Sequence, residues 1–131
     1  MRVVCVQLGV EGGAVEDNVA AAVEATREAA ATGADLVALP ELFDVGYFAF
    51  GSYARAAESV AGERLDRFAA VAAEADVNVL AGTVVEDLAA SAADGIDVPA
   101  DEGFANTAVL FDRNGERRLV YRKRHLFGYG S

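Results

Sequence analysis

The sequence predicts an α/β layered fold, in which strands and helices alternate along the chain. Short runs of branched and apolar residues, with the length of buried strands, lie at 2–8, 36–39 and 77–85. Two longer stretches, at about 16–32 and 62–75, separate these runs and carry apolar side chains at helical spacing. This alternation is typical of a sheet covered by helices. With 131 residues, 53% of them apolar, we expect one globular domain.

The first strand and the first helix follow from their residue types. Residues 2–8 form a short β-branched run, RVVCVQL, which predicts a buried strand. The helix is predicted from about Glu16 to Thr32, with Glu16 and Asp17 in its first turn, where the helix dipole favours anions. Gly33 follows its last turn, at a position that often requires a positive φ. The predicted inward-facing residues are Val19, Val23, Thr26 and Ala30.

The middle of the chain is predicted to hold a strand, a loop and a second helix. The strand at 36–39 stops at Pro40, which has no N–H to donate within a sheet. Residues 41–53 contain five aromatic side chains around two glycines, so we predict an irregular aromatic loop lying over the core. The second helix is predicted over about 62–75. Its predicted buried residues are Leu65, Phe68, Ala69 and Ala72.

The rest of the chain is predicted to contain a strand, an acidic loop and a hairpin. The third strand is predicted at 77–85. Residues 86–103 hold six acids and no base, and we predict a loop that is either a lid or a solvated insertion. Residues 107–112 and 117–122 flank Asn114-Gly115, a dipeptide typical of β-hairpin turns.

The charge of the chain is acidic and unevenly distributed. Its 21 acidic and 11 basic side chains give a net charge of −10, which argues against a nucleic-acid partner. From Arg113 onward there are six bases and one acid, and Lys123 is the only lysine of the sequence. Abundant Asp and Glu with almost no Lys predict a halophile-like protein that surface carboxylates keep in solution in concentrated salt. We therefore expect unfolding or precipitation on dialysis into low salt.

The cysteine content and the hydropathy predict a cytoplasmic protein with no membrane partner. A single cysteine, Cys5, cannot form an internal disulfide. The opening apolar stretch is interrupted by Gln7, is too short to span a bilayer and lacks the pattern of a signal peptide. Cys5 lies in the middle of a predicted strand and is interpreted as a small buried hydrophobic residue, not a nucleophile. One His and one Cys are too few for a zinc site.

Glu41 and Lys123 are the candidate residues for chemistry. Glu41 directly follows a predicted buried strand and precedes aromatic residues, so desolvation is expected to raise its pKa towards that of a general base. An acid that simply begins a loop is the alternative. The other ten basic residues of the chain are Arg, so Lys123 has two interpretations. Its ammonium either stabilises an oxyanion, or it is a Lys that occurs by chance on a solvated strand. His125 is interpreted more readily as a structural histidine than as a base.

Gly9, Gly12 and Gly13 leave a nucleotide-binding hypothesis open. Their spacing differs from the dinucleotide-binding and phosphate-loop patterns. Glu41 also lies further along the chain than the ribose-binding acid of such folds. A melting temperature that depends on nucleotide would support this hypothesis.

Several short motifs occur in order along the chain. The two most specific are PELF at 40–43 and YRKRHLF at 121–127. The accompanying positions are Gln7, Asn18, 33–37, 46–47, 81–83 and 106–108. Together these motifs resemble the nitrilase, or carbon–nitrogen hydrolase, superfamily over essentially the whole chain. The resemblance implies the N-terminal half of an αββα sandwich.

The same resemblance implies a hydrolase of amide or nitrile bonds that uses a Glu-Lys-Cys constellation without metal or organic cofactor. Glu41 matches the general base, and Lys123 matches the cation that stabilises the tetrahedral intermediate. Tyr47, in the aromatic loop, is the candidate substrate-binding residue. Members of the family usually assemble, so a homo-oligomer is also implied.

The nucleophile is where the sequence departs from the family. The resemblance implies a cysteine some tens of residues after the catalytic lysine, and the 131-residue chain ends before that position. We therefore expect residues 1–131 to be a partial domain, truncated before the nucleophile segment and inactive alone. Such a domain is expected to pair with a complementary C-terminal half or, as a non-catalytic remnant, with a full-length relative through its open sheet.

Overall fold

A five-stranded mixed sheet forms the centre of the molecule. The computed structural model of the protein describes residues 1–124. The strands are β1 (Val3–Cys5), β2 (Leu36–Ala38), β3 (Asn78–Asp87), β4 (Phe104–Phe111) and β5 (Arg117–Arg122). They lie in the order β1-β2-β3-β4-β5, with β1, β2 and β3 parallel to one another and β3, β4 and β5 antiparallel. The predicted α/β fold is confirmed.

Helices occupy the connections between the strands. They are α1 (Val15–Ala31), α2 (Tyr53–Ala56), α3 (Glu63–Ala75) and α4 (Leu88–Ala93). The bounds of α1 and α3 agree with the predicted bounds within one residue, because both helices have clear apolar periodicity and acidic first turns. The predicted aromatic loop also contains a short 3-10 turn at Phe50–Ser52, which leads into α2. None of the helices within residues 1–124 is long and apolar enough to cross a membrane.

The two faces of the sheet differ in burial. On one face the apolar side chains lie under α1 and α3 and are excluded from solvent. They include Val37, Val79, Val109 and Phe111. On α3, Phe68 packs edge-on against Phe43, with ring centroids 5.2 Å apart. Burial of side chains of this size stabilises a fold by about 1.5–3 kcal/mol each, so this layer forms the core.

The opposite face is apolar and largely open. The strand register aligns Cys5, Ala38, Leu80, Leu110 and Leu119 in one row across the sheet. Leu119 and Tyr121 are both 54% exposed, and Cys5 is exposed too. The prediction of a buried first strand with a buried Cys5 is therefore wrong. The reason is topological. β1 is an edge strand, and Cys5 lies on the face of the sheet that α1 and α3 do not cover.

The acidic segment at 86–103 is not a single loop. Glu86 and Asp87 belong to β3, and residues 88–93 form α4, whose first turn is capped by the Asp87 carboxylate through the N–H of Ala90 (3.1 Å). The side chain of Glu86 is fully buried. Local sequence could not reveal this burial, since the cation that pairs with Glu86 lies 36 residues away on β5.

The predicted hairpin is confirmed at the turn between β4 and β5. The Asp112 carboxylate accepts hydrogen bonds from the N–H groups of Asn114 (2.9 Å) and Glu116 (3.1 Å). Gly115 has a φ of +79° and lies against α3, where a Cβ atom would come within 2.7 Å of the Ala69 carbonyl oxygen. Both the turn conformation and the close approach require glycine.

Candidate active site

The ends of β2 and β5 bring Glu41 and Lys123 together. The ammonium Nζ of Lys123 donates a hydrogen bond of 2.8 Å to Oε2 of Glu41, across 82 residues of sequence. The two side chains are 33% and 37% exposed, so the ion pair is partly open to solvent. The two residues singled out for chemistry therefore lie in direct contact.

Contacts in the adjoining turn hold Glu41 in place. Leu42 adopts a positive φ of 51°, and its N–H donates to Oγ1 of Thr83 (3.0 Å). The register of β3 against β4 shifts between Gly82 and Val84, which frees Thr83 for this contact. A bulky residue in the left-handed region is uncommon, and such conformations often occur at functional sites.

Asn106 on β4 is a third member of the cluster. Its amide Nδ2 donates to Oε2 of Glu41 (2.8 Å), and its backbone oxygen accepts the N–H of Lys123 (2.9 Å). The sequence interpretation placed Asn106 in a family motif but assigned it no role. The alternation of β4 offered a sequence signal, because Asn106 is a polar residue on the same face of the strand as the apolar Ala108 and Leu110.

The contacts keep both members of the ion pair charged. The hydrogen bond from Lys123 is the main cause that lowers the pKa of Glu41, and the hydrogen bond from Asn106 adds to it against the opposing effect of partial burial. In turn, the hydrogen bond to Glu41 raises the pKa of Lys123. The expectation that desolvation raises the pKa of Glu41 is therefore wrong in direction. A carboxylate that is ionised at neutral pH can accept a proton without first losing one.

A cavity of about 690 Å³ opens beside Glu41, at the carboxyl ends of β1 and β2. This volume is in the range of small-molecule sites. The lining residues are Val6, Gln7, Leu8, Val10, Gly12, Pro40, Glu41, Leu42, Gly46, Tyr47, Phe48 and Ala49. Its wall is thus mainly apolar, with Glu41 as the carboxylate among these residues.

Tyr47, the candidate substrate-binding residue, lies on the wall of this cavity. Its ring packs edge-on against Phe48, with centroids 4.9 Å apart. The hydroxyl of Tyr53 donates to the backbone oxygen of Tyr47 and ties the loop to α2. Burial raises the pKa of the Tyr53 phenol, so this donor stays protonated at neutral pH.

The glycines after β1 serve close packing of two loops. The N–H of Gly13 donates to the backbone oxygen of Val45 (2.8 Å). At Gly46, which has a φ of +95°, a Cβ atom would come within 3.1 Å of the Cα of Gly12. The N–H of Gly13 is therefore already engaged within the protein and is not a free donor for a phosphate.

Cys5 does not join this cluster. Cys5 is exposed on β1, at the edge of the sheet. His125 lies outside the described residues.

Comparison with known proteins places this arrangement in a family. The model of the carbon-nitrogen hydrolase family matches residues 2–130. The chain belongs to this family. Among curated members, omega-amidase NIT2 of Homo sapiens is 34% identical over 113 residues, which are 85% of this chain and 36% of the relative. The 2-oxoglutaramate amidase of Paenarthrobacter nicotinovorans is 34% identical over 98 residues, 75% of this chain and 31% of the relative.

Solved structures of the family share the fold. An amidase from Nesterenkonia sp. superposes with a TM-score of 0.72 at 24% identity and covers 98% of this chain, but the chain covers only 44% of that amidase. The chain thus spans about a third of the length of the curated relatives and less than half of this amidase. The expected architecture, the N-terminal half of a nitrilase-like sandwich, is confirmed.

Proposed function

We propose that this chain supplies the general base and the oxyanion-stabilising cation of a thiol-dependent hydrolase that acts on amides of small molecules. The observation that carries this proposal is the Glu41–Lys123 ion pair at the wall of a cavity of ligand size. Membership of the carbon-nitrogen hydrolase family and similarity to the omega-amidases support it.

In the proposed reaction, Glu41 takes the proton of an attacking thiol. The thiolate adds to the amide carbon, and the ammonium of Lys123 stabilises the negative oxygen of the tetrahedral intermediate. The C–N bond then breaks, and the proton held by Glu41 leaves with the amine. Glu41 next takes a proton from a water that adds to the thioester carbon. The C–S bond then breaks to release the carboxylic acid, and Glu41 returns the proton to the thiolate, which restores the thiol. The apolar wall, including Tyr47, excludes bulk water and holds the substrate.

A small aliphatic amide is the proposed substrate class, with nitriles as the alternative. Similarity to omega-amidases and to a 2-oxoglutaramate amidase supports amides. A variant of the Nesterenkonia sp. amidase was solved in complex with butyramide. Butyramide is therefore the first substrate to assay.

The thiol is proposed to come from a complementary C-terminal half of the fold. Cys5, the single cysteine of the sequence, is exposed on the edge strand. In a variant of the Nesterenkonia sp. amidase, acrylamide adds to the active-site cysteine. We propose that the chain alone is inactive and that it acts in the cytoplasm as part of a larger assembly, either a homo-oligomer or a complex with such a half.

The test joins the chain to the C-terminal part of the Nesterenkonia sp. amidase and measures ammonia release from butyramide. The fusion is expected to release ammonia, and the chain alone is not. Glu41→Gln and Lys123→Ala are each expected to lower kcat by at least about 10³-fold, because each removes a charge that the transition state needs. Glu24→Gln, on an exposed side chain of α1, is the matched control and should keep full activity. Unchanged turnover in Glu41→Gln or Lys123→Ala ends the assignment of that residue.

A non-catalytic remnant that pairs with a full-length relative is the second candidate function. The open apolar face of the sheet supports it, since Val3, Leu119 and Tyr121 are each about half exposed. Under this function, the chain co-purifies with a full-length relative, and Tyr121→Glu weakens the complex. An inactive fusion together with such a complex would favour the remnant over the hydrolase.

A further inference from the structure

Asn106 contacts both members of the ion pair. Through its side chain it donates to Oε2 of Glu41 (2.8 Å). Through its backbone oxygen it accepts the N–H of Lys123 (2.9 Å). A side-chain substitution at this position removes the contact with Glu41 and leaves the backbone contact with Lys123 in place.

The orientation of the Asn106 amide follows from its chemistry. A carboxylate only accepts hydrogen bonds, so the nitrogen of the amide must face Glu41 and the oxygen must face away. In this orientation Oδ1 is buried and has no hydrogen-bond partner among residues 1–124. A buried acceptor without a partner costs stability and calls for an explanation. The contact with Glu41 explains the unpaired acceptor, because binding the carboxylate through Nδ2 turns Oδ1 to the buried side.

The two donors share one oxygen of the carboxylate. Lys123 Nζ and Asn106 Nδ2 both bind Oε2, each at 2.8 Å. A proton added to Oε1 therefore leaves both of these contacts intact. The carboxylate can gain and lose a proton while its position relative to the ammonium stays the same.

We propose that Asn106 is a positioning residue, whose amide holds the Glu41 carboxylate beside Lys123 so that Oε1 is the oxygen that exchanges the proton. This role rests on the proposed amide hydrolysis and deepens it. Asn106 acts through Glu41 and does not itself need to contact substrate.

The first arm of the test measures the titration of Glu41 in the 131-residue chain by NMR of its side-chain carboxyl carbon. Within residues 1–124, the charged group that faces this carboxylate is Lys123, and Tyr53 from α2 and Tyr47 from the loop are titratable neighbours. Asn106→Ala removes a hydrogen bond to the ionised form, so the apparent pKa of Glu41 should rise by about one unit. Asn106→Asp keeps the side-chain size but adds a second carboxylate, and should raise it further.

Asn78→Ala is the matched control. Asn78 lies on β3, and its side-chain amide donates to the backbone oxygen of Asp35 (2.8 Å) instead of to Glu41. Removing it should leave the titration of Glu41 unchanged. Far-UV circular dichroism identifies the variants that are folded. If Asn106→Ala does not fold, the titration of Glu41 in Asn106→Asp still tests the proposal.

The second arm measures kcat and KM of the butyramide-hydrolysing fusion against pH. Asn106→Ala should lower kcat by about 100-fold with little change in KM, because a misplaced base affects the chemical step. The acidic limb of the kcat profile should move to higher pH with the Glu41 titration, which a merely structural role would not produce.

The outcomes separate the two proposals. An unchanged Glu41 titration in the folded Asn106 variants overturns the positioning role, whatever the hydrolysis result. The expected titration with no hydrolysis by the wild-type fusion overturns the proposed function, and it still supports Asn106 as the residue that holds the ion pair. The expected titration together with the shifted kcat profile supports both.

Discussion

Two carboxylates, Glu41 and Glu86, interact with neighbouring pairs of residues on β4 and at the end of β5, but on opposite faces of the sheet. Glu41 binds Asn106 and Lys123. Glu86 binds Thr107 and Arg122, which are the chain neighbours of Asn106 and Lys123. It accepts hydrogen bonds from Oγ1 of Thr107 (2.8 Å) and from Nε (2.7 Å) and Nη2 (2.9 Å) of Arg122. Consecutive residues of a strand point to opposite faces, so the same two segments build two different ion pairs.

The difference between the two ion pairs is the number of donors and the access to solvent. Glu86 is fully buried and also accepts from Oγ of Ser91 (2.6 Å). Burial acts to raise the pKa of Glu86, but the hydrogen bonds from Arg122, Ser91 and Thr107 outweigh it and hold the pKa below its usual value. Glu41 has two such donors on one oxygen and is 37% exposed beside the cavity.

The comparison indicates how a structural carboxylate differs from one available for chemistry. The guanidinium of Arg122 presents two N–H groups in a fixed geometry, which suits a permanent pair. The ammonium of Lys123 is a single compact charge that can move from a carboxylate to a developing oxyanion. The single lysine of the chain therefore lies on the open side, and an arginine lies on the buried side.

The largest expected effect is on the buried pair. Glu86→Gln leaves Arg122 without its counter-charge and should lower the free energy of unfolding by about 4 kcal/mol. Urea unfolding of the wild type and the variant, followed by circular dichroism, measures it. A loss no larger than that of Glu41→Gln would remove the distinction between the two pairs.

Asp44 sharpens the comparison, because it is a buried carboxylate with weaker partners. Its side chain is 2% exposed, the guanidinium of Arg64 is 3.9 Å away, and burial raises its pKa to about 6. The folded state therefore binds the proton more tightly than the unfolded chain. The contribution of Asp44 to the free energy of unfolding should therefore be highest below about pH 4. It should fall by about 3 kcal/mol as the pH rises through 6.

Unfolding of Asp44→Asn across the same pH range isolates this effect. The variant should lack this pH-dependent loss and be the more stable protein above pH 6. Parallel stability curves for the wild type and Asp44→Asn would show that the charge of Asp44 is already satisfied in the fold.

Arg122→Lys tests the geometry of the buried cation at constant charge. A lysine can replace one of the two hydrogen bonds that Arg122 donates to Glu86, so we expect a loss of about 1.5 kcal/mol. Thermal and urea unfolding both measure it. Full stability of this variant would mean that charge alone, without the paired N–H geometry, holds Glu86.

The smallest effect is expected at the open pair. Glu41→Gln and Lys123→Ala should each change the free energy of unfolding by less than about 1 kcal/mol, because exposed ion pairs contribute little. The same urea titrations provide the measurement. A loss comparable to that of Glu86→Gln would identify the Glu41–Lys123 pair as structural instead of catalytic.

Local sequence determined the elements of this protein. The apolar periodicity of α1 and α3, the short β-branched runs and the Asn114-Gly115 turn act over a few residues, so the α/β order and the hairpin could be predicted from them. The family motifs also pointed to Glu41 and Lys123, which lie 82 residues apart in the sequence.

Only the tertiary structure decided which side chains meet. The contacts of Glu41 with Asn106 and of Glu86 with Arg122 join residues 65 and 36 positions apart, and they depend on the register of β3, β4 and β5. The position of β1 at the edge of the sheet left Cys5 exposed, and the hydrogen bonds from Lys123 and Asn106 reversed the expected direction of the Glu41 pKa. Burial and charge are properties of neighbours in space, and residue periodicity carries information only about neighbours in sequence.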